Sequence, residues 1–233
     1  MPSIGHHHRD VQSGGARAAV FGISDGLVTN VSLILGVAAA HPAAAVVRLT
    51  GIAGLVAGAF SMAAGEYVSM KAQRELFERE LDVERAALRQ SPADERRELT
   101  AIYERRGLDP DMARELAAKV MLDPDVALET HAREELGIDP QRLGSPVRAA
   151  LSSFVTFAVG ALLPLIPWLV ASGGAATVAS IAVGAVAALA VGGSLGLLTG
   201  RSPVWVGLRQ LGVAAVAAAV TYGVGRVVGI SGF

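Results

Sequence analysis

The chain has 233 residues, 52% of them hydrophobic and 18% charged, with a formal net charge of -1 and no cysteine; its mean hydropathy is +0.47. That apolar content excludes a disordered chain, and the lack of cysteine excludes both a disulfide framework and thiolate metal ligands. The charge is segregated: residues 71 to 147 hold 18 of the 21 Asp and Glu and 13 of the 20 Lys and Arg, the pattern of a membrane protein with one water-facing insert, since a soluble domain scatters its charges over its whole surface.

The chain starts with a polar segment that includes His6, His7, His8, Arg9 and Asp10. It reads as a solvated tail, with a weak metal collector or a tag remnant as alternatives. The apolar stretch that follows is longer than the hydrophobic region of a signal peptide, so it is read as a retained first span. A hydrocarbon core of ~30 Å needs roughly 20 helical residues, and five stretches supply them: about 17 to 40, 44 to 70, 148 to 171, 174 to 199 and 204 to 229. His41-Pro42, Ser145-Pro146, Ser172-Gly173-Gly174 and Arg201-Ser202-Pro203 punctuate them. Arg9, Arg17, the insert and Arg201 fall on one side and Arg48 and Arg226 near the other, which predicts a cytoplasmic N-terminus and insert. Small-xxx-small pairs recur at Gly22/Gly26, Gly54/Gly58, Gly192/Gly196 and Gly225/Gly229. They predict close helix packing within the bundle, some of it for subunit contact. Pro164 and Pro167 predict a kink in the third span.

Only three acids lie outside the insert, Asp10, Asp25 and Glu66, and the last two sit inside spans. An ionisable side chain there costs about 2.5 to 3.5 kcal/mol on insertion scales, so it is normally kept facing a cavity or a partner. Asp25 lies roughly 12 Å along the first span from its cytoplasmic start, and Met62 lies at nearly the same depth in the antiparallel second span. Met62, Glu66 and Met70 share one helix face by i, i+4 spacing. Thioethers beside carboxylates suit a first-row divalent ion such as iron(II) or manganese(II) better than magnesium or calcium. The alternatives stay open: core packing for the methionines, a partner for Arg17 or an interhelical hydrogen bond for Asp25, and snorkelling for Glu66.

From Lys71 the second span is predicted to continue as a charged helix to Gln90, with no Gly or Pro to end it. Ser91-Pro92, Asp109-Pro110 and Asp123-Pro124 then start new helices by cap-then-proline signals, and Gly137 closes the last. Glu80 and Glu84 are one turn apart, Glu95 and Glu98 are i, i+3, and Glu134 and Glu135 end the final helix. Such same-face carboxylates need a cation or basic side chains between them, and the insert's arginines make a salt-bridged face the competing reading. The insert's charge of 13 minus 18, or -5, concentrates cations beside it. A ferritin-like di-iron core is rejected, since Leu128 stands where Glu-x-x-His131 would need its Glu.

Asp25-Gly26-Leu27-Val28-Thr29-Asn30 in the first span and Gly58-Ala59-Phe60-Ser61-Met62-Ala63-Ala64-Gly65-Glu66-Tyr67-Val68-Ser69 in the second resemble the vacuolar iron transporter (VIT) family. The likeness covers nearly the whole chain, including the insert and its closing Glu135-Leu136-Gly137. It implies a homodimer in the lipid bilayer that exports iron(II) and/or manganese(II) from the cytosol in exchange for protons, with no further cofactor. Carried over, Asp25 and Met62 are pathway ligands, with Glu66 at the cytoplasmic mouth, and the family's glutamate cluster falls on Glu84, Glu95, Glu98 and Glu135, with Glu80 a possible substitute. Where plant members carry a Met pair, this chain has His131 and Ala132, so His131 offers imidazole instead. Metal captured by the insert would pass to Glu66 and then between the Asp25 and Met62 pairs of a two-fold dimer.

The fold expected is an all-α membrane protein with five transmembrane helices and a cytoplasmic helical metal-binding insert between the second and third spans. Residues 1–70 carry the tail and first two spans, 71–147 the acidic metal-binding domain and 148–233 the last three spans. A bacterial inner membrane is expected, or a vacuolar membrane in a eukaryote. A membrane-anchored metal buffer or sensor is the second reading, opposed by Asp25 and Glu66, and a passive cation channel the third. No nucleophile-base pair, nucleotide loop or nucleic-acid signature is present, so neither an enzyme nor a nucleic-acid partner is expected.

Overall fold

A computed structural model describes residues 14 to 230, with side chains described from Ala18 to Gly229. His6, His7, His8, Arg9 and Asp10 lie outside the described residues, as does the side chain of Arg17. Eight α-helices follow one another among the described residues: α1 (Gly14–Ala38), α2 (Ala44–Gln90), α3 (Pro92–Arg105), α4 (Pro110–Val120), α5 (Pro124–Glu134), α6 (Pro146–Val170), α7 (Gly173–Leu198) and α8 (Pro203–Ile230). A single 3-10 turn, Pro140–Arg142, stands between α5 and α6. Five helices, α1, α2, α6, α7 and α8, are long and apolar enough to cross a membrane. The protein is thus all-α with five membrane-crossing helices. Its contacts divide it into two compact units, one of the residues through Val68 and from Pro146 onward, the other Ser69–Ser145.

The membrane-crossing unit is built on small residues. A Cβ added at Gly26 of α1 would run into the Phe157 carbonyl of α6, and one added at Gly160 of α6 would run into the Ile23 carbonyl of α1. These two backbones approach closely because neither carries a side chain where they cross. Gly22 meets Ser153 and Thr156, Gly54 faces Leu33 and Asn30, and Gly58 lies against the Phe157 ring. Gly192 and Gly196 of α7 meet Val206 and Pro203 of α8, while Gly225 and Gly229 of α8 meet Gly36 and Ala40 of α1. All four small-residue pairs are therefore used in packing within one chain. Larger side chains fill what remains: Ile34, Val47, Leu165, Trp168 and Ala176 form one buried cluster, and Ala59, Phe157 and Ala161 another.

Polar side chains tie the irregular part of α6 to its neighbours. The helix continues through Pro164 and Pro167, and the Ser180 hydroxyl donates to the Pro164 carbonyl at 2.6 Å. Asn30 of α1 donates to the Ala161 carbonyl at 2.6 Å. Arg48 of α2 donates to the carbonyls of Trp168 (2.6 Å) and Ala171 (3.2 Å), placing its cation on the negative end of α6. These bonds tie α6 to α1, α2 and α7 along the stretch that holds its two prolines.

In the other unit, Leu99 and Tyr103 of α3 pack on Ala113 and Ala117 of α4. Asp109 caps α4 by accepting from Asp111 N–H at 2.9 Å, and Asp123 caps α5 by accepting from Asp125 N–H at 2.9 Å and Val126 N–H at 3.2 Å. The Ser91 hydroxyl, by contrast, makes no cap bond. Ser91 is a one-residue hinge: its own N–H still completes α2 by donating to Ala87 at 2.8 Å, while its carbonyl already accepts from Asp94 at 2.9 Å. Gly137, at φ +65, lets the chain turn so that Ile138 N–H returns to the Ala132 carbonyl at 2.8 Å and ends α5. Asp139 caps the 3-10 turn through Gln141 N–H at 3.1 Å, a feature the sequence did not single out.

Candidate metal centre

The chain turns at Ser91, and Glu84 near the end of α2 and Glu95 in the first turn of α3 come together. The last turn of α5 adds His131 and, one turn on, Glu135. His131 Nδ1 lies 3.2 Å from a Glu84 oxygen, 3.6 Å from Glu95 and 3.8 Å from Glu135. One ligand atom each from Glu84, Glu95 and His131 falls within 4.8 Å of the others, close enough to share one ion. The depth is graded: His131 is fully buried and Glu84 is 7% exposed, whereas the Glu135 side chain is 33% exposed and marks the open edge.

The remaining acids of this unit mostly carry basic partners. Lys71 pairs with Glu75 at 3.2 Å, Arg74 with Glu78 at 2.7 Å, Lys119 with Glu115 at 2.6 Å and Arg133 with Glu129 at 2.8 Å. Arg97 pairs with Asp94, Arg114 with Asp111 and Arg106 with Glu134. The salt-bridged face expected as the bland alternative is therefore present. The group around His131 stands apart from it, for in the recorded pairs its carboxylates meet only the imidazole.

Both ring nitrogens of His131 and one oxygen of Glu84 are buried without a hydrogen-bond partner. Buried polar atoms are normally satisfied, and an imidazole lone pair facing carboxylate oxygens is repulsive unless a proton or a cation lies between them. The Glu84 carboxyl is pushed up to about 7, first by burial, then by the charges of Glu135, Glu95 and Glu98, and by a hydrogen bond shared with Glu95. Burial also raises Glu95, with Glu98, Glu135 and Asp94 adding to the rise and His131 opposing it. A divalent ion would take the place of that proton and relieve all of these repulsions together.

The other residues singled out from the sequence fall as follows. Glu98 is exposed one turn beyond Glu95, close enough to raise both buried carboxyls. Glu80 is partly buried one turn before Glu84 and is not among the three ligands that converge. Asp25 is partly buried on α1 and accepts from the Thr29 hydroxyl at 3.4 Å. Met62 packs on the Ala59, Phe157 and Ala161 cluster, and Glu66 is partly buried one turn further along α2. Met70 is buried, with its methyl group at the place a Gly144 side chain would take. The structure thus brings Glu84, Glu95, His131 and Glu135 together, and among the described residues the only converging group of three such ligands is this one.

One structural group escaped the sequence reading: Asn30, fully buried in the membrane-crossing unit, has a side-chain oxygen without a partner, and its signal is a lone amide in an apolar span. Glu134, which the sequence places beside Glu135 at the end of α5, pairs with Arg106 and so ties α5 to α3 beside the centre; burial first, then the Glu134 charge, raises the Tyr103 hydroxyl.

A model of the VIT family matches residues 16–226 of this chain. A protein of Acanthamoeba castellanii named vacuolar iron transporter is 35% identical over 233 residues, covering 96% of this chain and 84% of that protein. Vacuolar iron transporter 1 of Oryza sativa subsp. japonica is 29% identical over 227 residues (96% and 90%). Vacuolar iron transporter homolog 3 of Arabidopsis thaliana is 31% identical over 214 residues (91% and 82%).

Proposed function

This chain belongs to the VIT family, a family of transporters, and from that premise we propose that it exports iron(II) and/or manganese(II) from the cytosol in exchange for protons. The observation that carries the metal reading is the convergence of Glu84, Glu95 and His131 with Glu135 beside them. In this reading the Ser69–Ser145 unit is cytoplasmic and captures the ion, and Glu98 and Glu80 add to the field that attracts it. Asp25, Met62 and Glu66 line the pathway through the apolar helices. A carboxylate held in an apolar span can exchange a proton for a metal ion, which makes Asp25 the coupling residue.

A homodimer is part of the same proposal. The apolar windows of α2 and α8 are only 17% and 6% buried within one chain, against 44% for α1, which leaves both helices with faces for lipid or a second copy. A second copy on α2 would cover that helix and double every pathway ligand. The membrane is the vacuolar one if the chain is eukaryotic, as the relatives' names imply, and the plasma membrane if it is bacterial.

The second reading, a membrane-anchored metal buffer or sensor, is favoured by the same cluster and opposed by Asp25 and Glu66, which an anchor does not need. Metal uptake into sealed liposomes containing the purified protein and an internal pH dye separates the two. Iron(II) or manganese(II) flux with opposing proton movement, lost in Asp25→Ala, is the expected result. Metal binding without flux would replace the transporter reading by the buffer; flux without proton movement would leave a channel.

A further inference from the structure

Carboxylate oxygens alone form a hard donor set, which suits magnesium, calcium and manganese. The centre in the Ser69–Ser145 unit is not of that kind, because its deepest group is an imidazole. His131 is fully buried, its Nδ1 is 3.2 to 3.8 Å from three carboxylates, and neither ring nitrogen has a hydrogen-bond partner. A buried histidine that serves only packing is normally held by a hydrogen bond on at least one nitrogen. With a proton on Nε2, Nδ1 is free to serve as a ligand beside Glu84 and Glu95, with which it converges. The donors that converge are one imidazole nitrogen and the carboxylates of Glu84 and Glu95, a set of borderline softness for which affinity rises from manganese(II) through iron(II) to cobalt(II), and whose imidazole also suits zinc(II).

Resting on the capture role assigned above, we propose that His131 is the specificity-determining ligand of this centre, which takes zinc(II) and cobalt(II) at least as well as iron(II) and prefers them to manganese(II), magnesium and calcium. Zinc is then a competing occupant of the capture site. Glu84 and Glu95 supply the charge that any divalent ion needs, while the imidazole supplies the discrimination. His131→Gln keeps a polar side chain of similar reach but replaces the nitrogen donor by an amide oxygen, leaving an all-oxygen set.

The test uses the full-length protein in detergent, stripped of metal and titrated with manganese(II), cobalt(II) and zinc(II) in turn and in competition. Wild type is expected to bind about one ion per chain, with zinc and cobalt at least roughly tenfold tighter than manganese. In His131→Gln the zinc and cobalt affinities should fall by about ten- to a hundredfold and the manganese affinity by much less. Equal losses for all three metals, or none, would overturn the proposal while leaving capture intact. A wild-type affinity that Glu84→Gln leaves unchanged would instead overturn the capture reading, and this proposal with it. Because a change at a buried position can unfold the unit, pulsed EPR of wild type loaded with cobalt(II) gives an independent reading. Coupling to a directly bound imidazole nitrogen supports the proposal, and its absence defeats it.

Discussion

In the membrane-crossing unit α1 and the apolar part of α2 carry one acid each, Asp25 and Glu66, among helices held together by glycines and a few tightly used polar side chains. In the Ser69–Ser145 unit Glu84, Glu95 and Glu135 crowd around one histidine, and most of the neighbouring acids are neutralised by arginine or lysine. The contrast follows from solvent. Each charge in an apolar span carries a large desolvation cost, so few are kept and they are spread out. A unit with a water-facing surface can neutralise its outer acids in salt bridges and concentrate the others in one cluster. In the function proposed above, the sparse acids of the spans serve passage, in which an ion must leave again, and the converging ones serve capture.

Separating the two roles is the strongest way to break this comparison. Asp25→Asn is expected to reduce metal flux in liposomes to background while leaving the stoichiometry and affinity of metal binding unchanged, as measured by titration of the detergent-solubilised protein. Loss of binding in that variant would mean the two regions are not separable. Gly160→Val tests the packing half. Its side chain would meet the Ile23 carbonyl, and overpacking of this kind costs about 1–3 kcal/mol or more. A marked fall in thermal stability of the purified protein is expected, and an unaltered melting profile would contradict the close α1–α6 crossing.

Glu84→Gln sharpens the capture half. It removes a charged ligand but keeps its shape, and should weaken metal binding by at least about ten- to a hundredfold, with flux recovering at high metal concentration. Intact low-metal flux in this variant would place capture elsewhere.

A smaller effect comes from pH. The Glu84 carboxyl lies at about 7 in the folded protein against 4.5 for an ordinary glutamate, so between those values the folded metal-free chain holds more protons than the unfolded one. Its contribution to stability is fully present below about 4.5 and is lost as pH rises through about 7. Thermal unfolding without metal should therefore occur at higher temperature near pH 5.5 than near pH 7.5, and bound metal, which displaces the proton, should raise stability more at the higher pH. The smallest change is expected from Arg97→Ala, which removes an exposed pair with Asp94 and should shift stability by less than about 1 kcal/mol, without effect on metal binding.

Much of the centre was legible before any coordinates. Glu84, Glu95 and Glu135 stand in repeated acidic patterns that fit a salt-bridged face equally well, and only the family resemblance assigns them, with His131, to a metal centre. The cap-then-proline signals at Asp109 and Asp123 also placed two helices, because each acts through bonds only two or three residues long. Ser91 looked the same in sequence but acts as a hinge, since its N–H remains committed to α2. The glycine pairs were legible as packing surfaces, yet their partners were not: a small residue advertises close approach without saying to what.

The amino-acid sequence by itself determined five apolar helices, a charged helical insert and two acids within the spans, because hydropathy, periodicity and caps are local properties of the chain. Which acids meet was decided only by tertiary structure. Glu80 and Glu84, or Glu95 and Glu98, are equivalent by helical spacing, but the turn at Ser91 and the approach of α5 bury one of each pair against His131 and leave the other outside. A helix repeats its faces every few residues, and only the elements packed against it decide which face becomes the interior.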